Sequence, residues 1–372
     1  MTLSPMQQKC WEAYQAGESK QGIATRLGLS RSSVRVHIRA AENKLNLDPG
    51  ISDALSQTGI SPDRARMGYR KIKDPETGSF NTVMWKMPPE EETSFLERVK
   101  DAVSDIAPAT PISQPKHADK DLCTVYPIAD AHIGMMAWER ETGEAYNTDI
   151  ACNRLREWVG RCVDLSPASE RAVILDVGDL MHADDQTNQT PGNKHQLDVD
   201  TRYYRTVETT IAAMAAAVEY AAQKHKQVTV RILRGNHNPH SFIAVLFALR
   251  ERYRGCKHIT IECDPSEFWV TTFGRCLFAA HHGDKSKPER AVFFLADQFA
   301  QEWGGTDFRH FWTGHLHHHA SRDIGGVQWE QLRPMTARDA YAVSHAYCAR
   351  SQLQGITFHK ERGEIQRVKV GA

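Results

Sequence analysis

The sequence predicts an α/β protein, a large domain of alternating strands and helices preceded by a small all-α module. Three observations carry this expectation. From Leu122 onward, apolar runs of strand length alternate with stretches of helical periodicity, the pattern of layered α/β domains. Residues 3–47 show helical periodicity alone. Between them Pro62, Pro75, Pro88, Pro89, Pro108, Pro111 and Pro115 interrupt any long pattern, which marks a linker more than a packed layer. The 372 residues therefore divide into segments 1–47, 48–121 and 122–372.

In the first segment Ser4-Pro5 opens a helix that ends at Gly17 and sets Met6, Cys10, Trp11 and Tyr14 on one face. Ser19–Leu27 forms a second helix with Ile23, Ala24 and Leu27 inward, and Gly28 permits the turn after it. Ser30 caps a third, whose inner stripe is Val34, Ile38, Ala41 and Leu45. In the middle segment Gly68–Asp74 and Ser79–Met87 flank the turn string Pro75-Glu76-Thr77-Gly78 as a β-hairpin. Glu91–Ile106 reads as a short amphipathic helix and 107–120 as linker. The last segment reads as strands at 125–129, 172–177, 228–233, 259–262, 268–273, 276–281, 308–313, 326–332, 353–359 and 365–370. Helices at 150–165, 201–225, 242–253 and 288–302 alternate with them.

Lys+Arg and Asp+Glu both number 46, so any nucleic-acid binding must come from a local patch, not from bulk charge. No run of 18 apolar residues and no apolar leader at Met1–Cys10 occur, which argues against a membrane span or a secretory signal. The eight cysteines form no C-x-x-C pair and read as reduced thiols of a cytoplasmic protein.

The third helix carries Arg31, Ser32, Arg35, His37 and Arg39 on its outer face, and residues 1–45 hold seven Lys or Arg against three Asp or Glu. A helix that reads DNA needs a capped start, small polar residues for base edges and arginines for phosphate or guanine. The string LSPMQQKCWEAYQAGESKQGIATRLGLSRSSVRVHIRAAENKL resembles the helix-turn-helix of LuxR-type regulators and sigma factors. The resemblance implies DNA contacts from Arg31, Ser32, Arg35 and Arg39. A bundle used for protein contact or assembly is the alternative.

Five strings in the last segment carry chemistry: Asp130-Ala131-His132, Gly178-Asp179-Leu180-Met181-His182, Gly235-Asn236-His237, His281-His282-Gly283-Asp284 and Gly314-His315-Leu316-His317. Each follows a strand, where open α/β sheets place their sites. Singly each is weak, since a D-x-H pair often caps a turn and a G-N-H is often only a turn. Together they suit two divalent cations side by side. Carboxylate, imidazole and amide oxygen favour manganese, iron or zinc, and the absence of thiolate argues against a structural zinc site.

The series D-x-H, G-D, G-N-H, H-G, G-H-x-H resembles the calcineurin-like metallophosphoesterase superfamily over Leu122–Ala372. The resemblance implies a β-sandwich flanked by helices and two divalent metal ions, manganese first, with iron or zinc as alternatives. One ion would be held by Asp130, His132, Asp179 and His317, the other by Asp179, Asn236, His282 and His315. Two cations about 3.5–4 Å apart clamp the attacking and leaving oxygens of an in-line displacement at phosphorus. His237 would face the substrate and protonate the leaving group or stabilise the transition state.

The string GDLMH is similar to the DNA-repair nuclease branch, whose histidine at the His182 position faces the diester. That makes His182 a second catalytic candidate; orienting the Asp179 loop is its alternative. Asn238 stands where the family has an acid, and a neutral amide can still hold the His237 ring. His281 should pack inward, Asp284 should orient a loop, and His318 and His319 should continue a strand. Residues 186–199 form a polar loop, either a substrate lid or an excursion. Tyr341, Tyr347 and Arg350, in the segment after the last ligand, read as structural, with substrate contact as the alternative.

The expected function is a metal-dependent phosphodiesterase, a nuclease acting on DNA, brought there by the helix-turn-helix and acting alone or as a homo-oligomer. Such fusions resemble bacteriophage and prophage enzymes. The rivals are a small-molecule phosphatase or cyclic-nucleotide phosphodiesterase, and a DNA-binding regulator with a non-catalytic metal domain.

Overall fold

The computed structural model describes residues 3–45, 67–73, 80–86 and 112–371. The chain divides into two compact units, Met1–Phe95 and Leu96–Ala372. The expected helix at 91–106 and the turn at 75–78 lie outside the described residues.

The first unit opens with three helices, α1 Pro5–Gln15, α2 Lys20–Leu27 and α3 Arg31–Leu45. Ser4 caps α1 in a reciprocal box with Gln7, and Ser19 caps α2 through the Gly22 amide, satisfying amides the first turn leaves open. Gly28 closes α2 at φ 64°. Cys10, Ile23, Ala24, Val34 and Ile38 pack as one small core. This is a helix-turn-helix. Tyr14, expected on the inner face, is 41 % exposed; it lies one residue before the end of α1, with the Lys20 ammonium 5.5 Å over its ring. Strands β1 Met67–Lys73 and β2 Phe80–Lys86 pair antiparallel as the expected hairpin.

The second unit is a sandwich of two sheets flanked by helices. Its six-stranded sheet runs β13-β12-β3-β4-β5-β6, with β3 Asp119–Ile128, β4 Ser169–Asp176, β5 Gln227–Ile232, β6 Ile259–Glu262, β12 Gln352–His359 and β13 Gly363–Gly371. Strands β3 to β6 are mutually parallel; β12 and β13 are antiparallel additions. The five-stranded sheet runs β10-β11-β9-β8-β7, with β7 Trp269–Phe273, β8 Cys276–His281, β9 Phe308–Thr313, β10 Ala320–Ile324 and β11 Val327–Gln331.

Period-2 alternation sorts each strand between two cores. On β3, β4 and β8, residues Cys123, Val125, Val173, Leu175, Cys276 and Phe278 face the space between the sheets, joined by Trp312, Ile356 and Phe358. Their neighbours Tyr126, Ile128, Ala172 and Ile174 face outward onto α5 Thr148–Leu165, α6 Tyr203–Ala222 and α7 Phe242–Arg252. On the far side, Leu277, Ala279 and Phe311 pack under α8 Pro288–Gln298, with α9 Ala300–Gly304 beside it. Strands buried on both faces read as continuous apolar runs.

Four details correct the expectation. Strand β3 begins at Asp119, inside the segment read as linker. The helix expected over 288–302 breaks at Phe299 into α8 and α9. His318 and His319 precede β10, which starts at Ala320. Two short helices, α4 Glu139–Thr142 and α10 Ala340–Ser344, were not expected.

Candidate metal centre

The five strings meet at one end of the sandwich. Asp130 and His132 follow β3, Asp179 and His182 follow β4, Asn236 and His237 follow β5, His282 follows β8, and His315 and His317 follow β9. Both sheets therefore contribute, through loops at the carboxyl ends of parallel strands. The loops after β3 and β4 keep pairing beyond their strands: the His132 amide donates to the Asp179 carbonyl at 2.9 Å and the His182 amide to Ile133 at 3.0 Å.

The local backbone is strained where the donors sit. Asp130, His132, Asp179, His315 and His317 have φ of 47°, 44°, 56°, 75° and 52°. This left-handed region costs a non-glycine residue on the order of 1–3 kcal/mol when held by its surroundings. The surroundings hold it. The Asp130 carboxylate accepts the His315 amide at 2.9 and 3.0 Å, and Asp179 Oδ1 accepts the His237 amide at 2.8 Å. A Cβ on Gly235 would lie 1.9 Å from Asp179 Oδ1, and one on Gly178 2.5 Å from His282 Nδ1. Only glycine lets these loops close on the donors.

Donor atoms of Asp130, His132 and His317 lie within 4.8 Å of one another, as do those of Asp179, His282 and His315. His132 Nε2 is 3.1 Å from His317 Nε2, His317 Nε2 is 3.5 Å from Asp130 Oδ1, and His282 Nε2 is 3.2 Å from Asp179 Oδ2. Asn236 Oδ1 lies 2.9 Å from His282 Nε2, so its amide oxygen joins the second group. Asp179 faces both groups, with His132 Nε2 at 4.0 Å. Asp130, His132, Asp179 and His282 are buried; Asn236, His237, His315 and His317 are half-buried and form the mouth. Carboxylates, an amide oxygen and imidazole nitrogens crowded at these distances suit divalent metal ions.

Electrostatics divide the histidines. Burial, with His237 beside it, holds His132 well below its ordinary range. Burial acts likewise on His182 and on His315. Burial opposes charge on His282 too, but the Asp179 carboxylate outweighs it and raises His282 to about 10. Asp179 is held well below the carboxylate range: His282 and His237 outweigh the burial that pushes it up. The His282 Nδ1–H donates to the Val177 carbonyl at 3.0 Å, leaving Nε2 for a ligand's work.

His237 and His182 play different parts. The His237 Nδ1–H donates to the His182 carbonyl at 2.9 Å, so Nε2 is the free atom. Asn238, expected to hold that ring, is fully buried and neither of its amide atoms has a partner; the His182 carbonyl, in the loop after the neighbouring strand β4, does that work instead. His182 is 2 % exposed, with Nδ1 3.1 Å from His132 Nδ1 and its ring stacked on His237 at 5.2 Å. It stands behind two rings and does not open to solvent. Asp284 binds Arg234 at 2.8 Å, which anchors the loop before Gly235, and buried His281 stacks on Phe268.

Two groups escaped the sequence reading. Asp176, at the end of β4, is fully buried with neither oxygen partnered, and burial raises it well above the carboxylate range; a carboxylate closing the apolar run AVILD was its signal. Asp184 accepts the His240 and Ser241 amides at 2.9 and 2.8 Å and holds His240 Nδ1 at 2.6 Å, tying the loop after β4 to the loop after β5. On α3, Arg35 is exposed and Arg31 half-buried. The side chains of Ser32 and Arg39 lie outside the described residues.

Residues 1–49 match the luxR family of bacterial regulatory proteins. No curated protein sequence matches the chain. Among solved structures, an archaeal phosphodiesterase is similar at 10 % identity and TM-score 0.34, over 67 % of this chain and 99 % of that one. Vacuolar protein sorting 29 of Cryptosporidium parvum is similar at 13 % identity and TM-score 0.31, over 68 % and 98 %. A protein of Streptococcus pneumoniae described as a predicted phosphoesterase gives 11 % and 0.29, over 68 % and 98 %. Overlaps this loose fix neither activity nor substrate.

Proposed function

We propose that the chain is a divalent-metal-dependent phosphodiesterase acting on DNA, with its helix-turn-helix as the DNA-seeking part. One observation carries the reading. Two groups of donors, Asp130/His132/His317 and Asp179/His282/His315, lie within 4.8 Å inside each group and share the end of one sandwich. Asp179 would bridge, and Asn236 would complete the second set. Two divalent ions bound there would supply Lewis acidity at the phosphoryl oxygens and a lowered pKa for water.

The chain's own residues do the rest. With Nδ1 committed to a carbonyl, half-buried His237 has Nε2 left to act on the leaving oxygen. His182, buried behind His132 and His237, is a positioning residue and not a second acid. Ligand loops in the left-handed conformation keep the carboxylates preorganised and cost no rearrangement when substrate binds.

DNA as substrate rests on two further supports. The string GDLMH resembles that of the repair-nuclease branch, in which a histidine at the His182 position faces a phosphodiester. The luxR-like module sets Arg31 and Arg35 on the helix that such modules lay in the major groove. A fusion of this kind suits a bacteriophage or prophage enzyme.

The test is purified full-length protein with manganese, labelled single- and double-stranded DNA, and bis-nitrophenyl phosphate alongside. Cleavage of the diester and of DNA is expected. Hydrolysis of monoesters only would put a phosphatase in its place. No hydrolysis with any of manganese, iron or zinc would leave a metal-binding regulator.

A further inference from the structure

We infer that a platform of aromatic rings beside the metal centre stacks the bases of single-stranded nucleic acid. This rests on the phosphodiesterase reading and names the form of substrate it takes.

The platform is built on two short helices that lie against one another, α4 and α10. Tyr341 on α10 packs tilted against His345, with ring centroids 4.1 Å apart and planes 33° apart; His345 stacks on Tyr347 at 5.8 Å and 28°. Tyr341 is 60 % and Tyr347 53 % exposed. Trp138, which begins α4, is 54 % exposed, with the Arg140 guanidinium 5.2 Å over its ring. Neighbouring rings with two tyrosines more than half exposed offer what a run of bases needs: a π-face that accepts any base.

The platform is continuous with the site. Trp138 follows the ligand His132 by six residues of one loop. On the other side, the Met335 amide donates to the Ala129 carbonyl at 2.8 Å and the Thr336 amide to Asp130 at 3.1 Å. Asp339 caps α10, and its charge is felt at His317. A strand whose phosphate lies at the mouth therefore carries neighbouring bases onto these rings. Arg140, Arg338 and exposed Arg350 lie along the same two segments, and Glu139, Glu141 and Asp339 oppose them. Net charge is thus modest, and the rings are the recognising feature. A duplex keeps its bases stacked inside and cannot use them.

The experiment compares oligo-thymidylate with an abasic oligonucleotide of equal length, binding to the full-length chain by fluorescence anisotropy. Neither forms a duplex, so duplex contacts of the helix-turn-helix do not enter. Wild type should bind the thymidylate about tenfold or more tighter. Tyr341→Ala with Tyr347→Ala should erase the difference, and Tyr341→Phe with Tyr347→Phe should keep it. Equal binding of both oligonucleotides by a wild-type chain that hydrolyses bis-nitrophenyl phosphate overturns the platform alone. A preference that survives the alanine pair also overturns it. A surface made for a protein partner would show no base preference, the outcome that overturns the platform. Failure to hydrolyse the diester at all overturns the phosphodiesterase reading instead.

Discussion

At the scale of single residues, the Asp179 carboxylate lies among donors of both groups, 3.2 Å from His282 Nε2 and 4.0 Å from His132 Nε2. Asp179→Asn should abolish turnover and metal at both positions, well beyond the about 10–100-fold typical of a supporting residue. His317→Ala should cost one ion only. Metal analysis beside kinetics checks both; near-normal turnover of Asp179→Asn in manganese sinks the assignment. His282, raised to about 10 by Asp179, carries a proton at neutral pH in the metal-free chain. In that state the ion pair stabilises the fold below about pH 10 and is lost as pH rises through it. A cation must displace that proton, so metal uptake should release it, and affinity should climb toward pH 10 and then level. Calorimetry in buffers of differing ionisation enthalpy reads the proton directly. His237→Ala should keep both ions and slow diester cleavage by about 10²–10⁴-fold. Nitrophenolate leaving groups should be spared; an equal loss for alkoxide and nitrophenolate would show that His237 gives no proton.

At the scale of elements, the loops matter more than the strands they follow. Gly235 passes so close to Asp179 that a methyl group must move one or the other. Gly235→Ala should destabilise by about 1–3 kcal/mol through overpacking and should lose metal, although Gly235 donates nothing to an ion; thermal melts and metal content test this together. These loops show what a sequence can and cannot reveal. The donor strings were legible because a polar residue directly after an apolar run stands out. Their left-handed backbone was not, because Asp and His carry no mark of positive φ as glycine does. Strand β10, mostly exposed, has no apolar alternation to betray it. The short helices α4 and α10 are too short for periodicity to speak. The hold of His182's carbonyl on His237 is backbone chemistry, invisible in side-chain identities.

At the scale of the whole molecule, the helix-turn-helix holds no donor of the metal centre, since all of those follow residue 122. Removing residues 1–47 should weaken duplex DNA binding and flatten its salt dependence, because fewer phosphates are neutralised and fewer counterions released. Hydrolysis of a small chromogenic diester should persist. A truncated chain that binds and cuts duplex as well as the whole would assign the module to assembly. The α/β character and most strand positions could be read from alternating patterns. The division into two sheets could not: β9 pairs in parallel with both β8 and β11, and pairing partners far apart in the chain leave no local trace. The sandwich came from resemblance, not from periodicity.

The contact between His132 and His317 joins positions 185 residues apart. An ion held there would act as a clasp on chain connectivity, closing a loop that encloses most of the second unit. It would stabilise the native chain and do nothing for an unfolded one. It also sets an order of events. A chain emerging from the ribosome offers Asp130 and His132 early, but it has no complete site until His317 has followed. Metal loading would thus wait until His317 has been made, and a chain truncated before β9 would carry half a clasp with nothing to fasten.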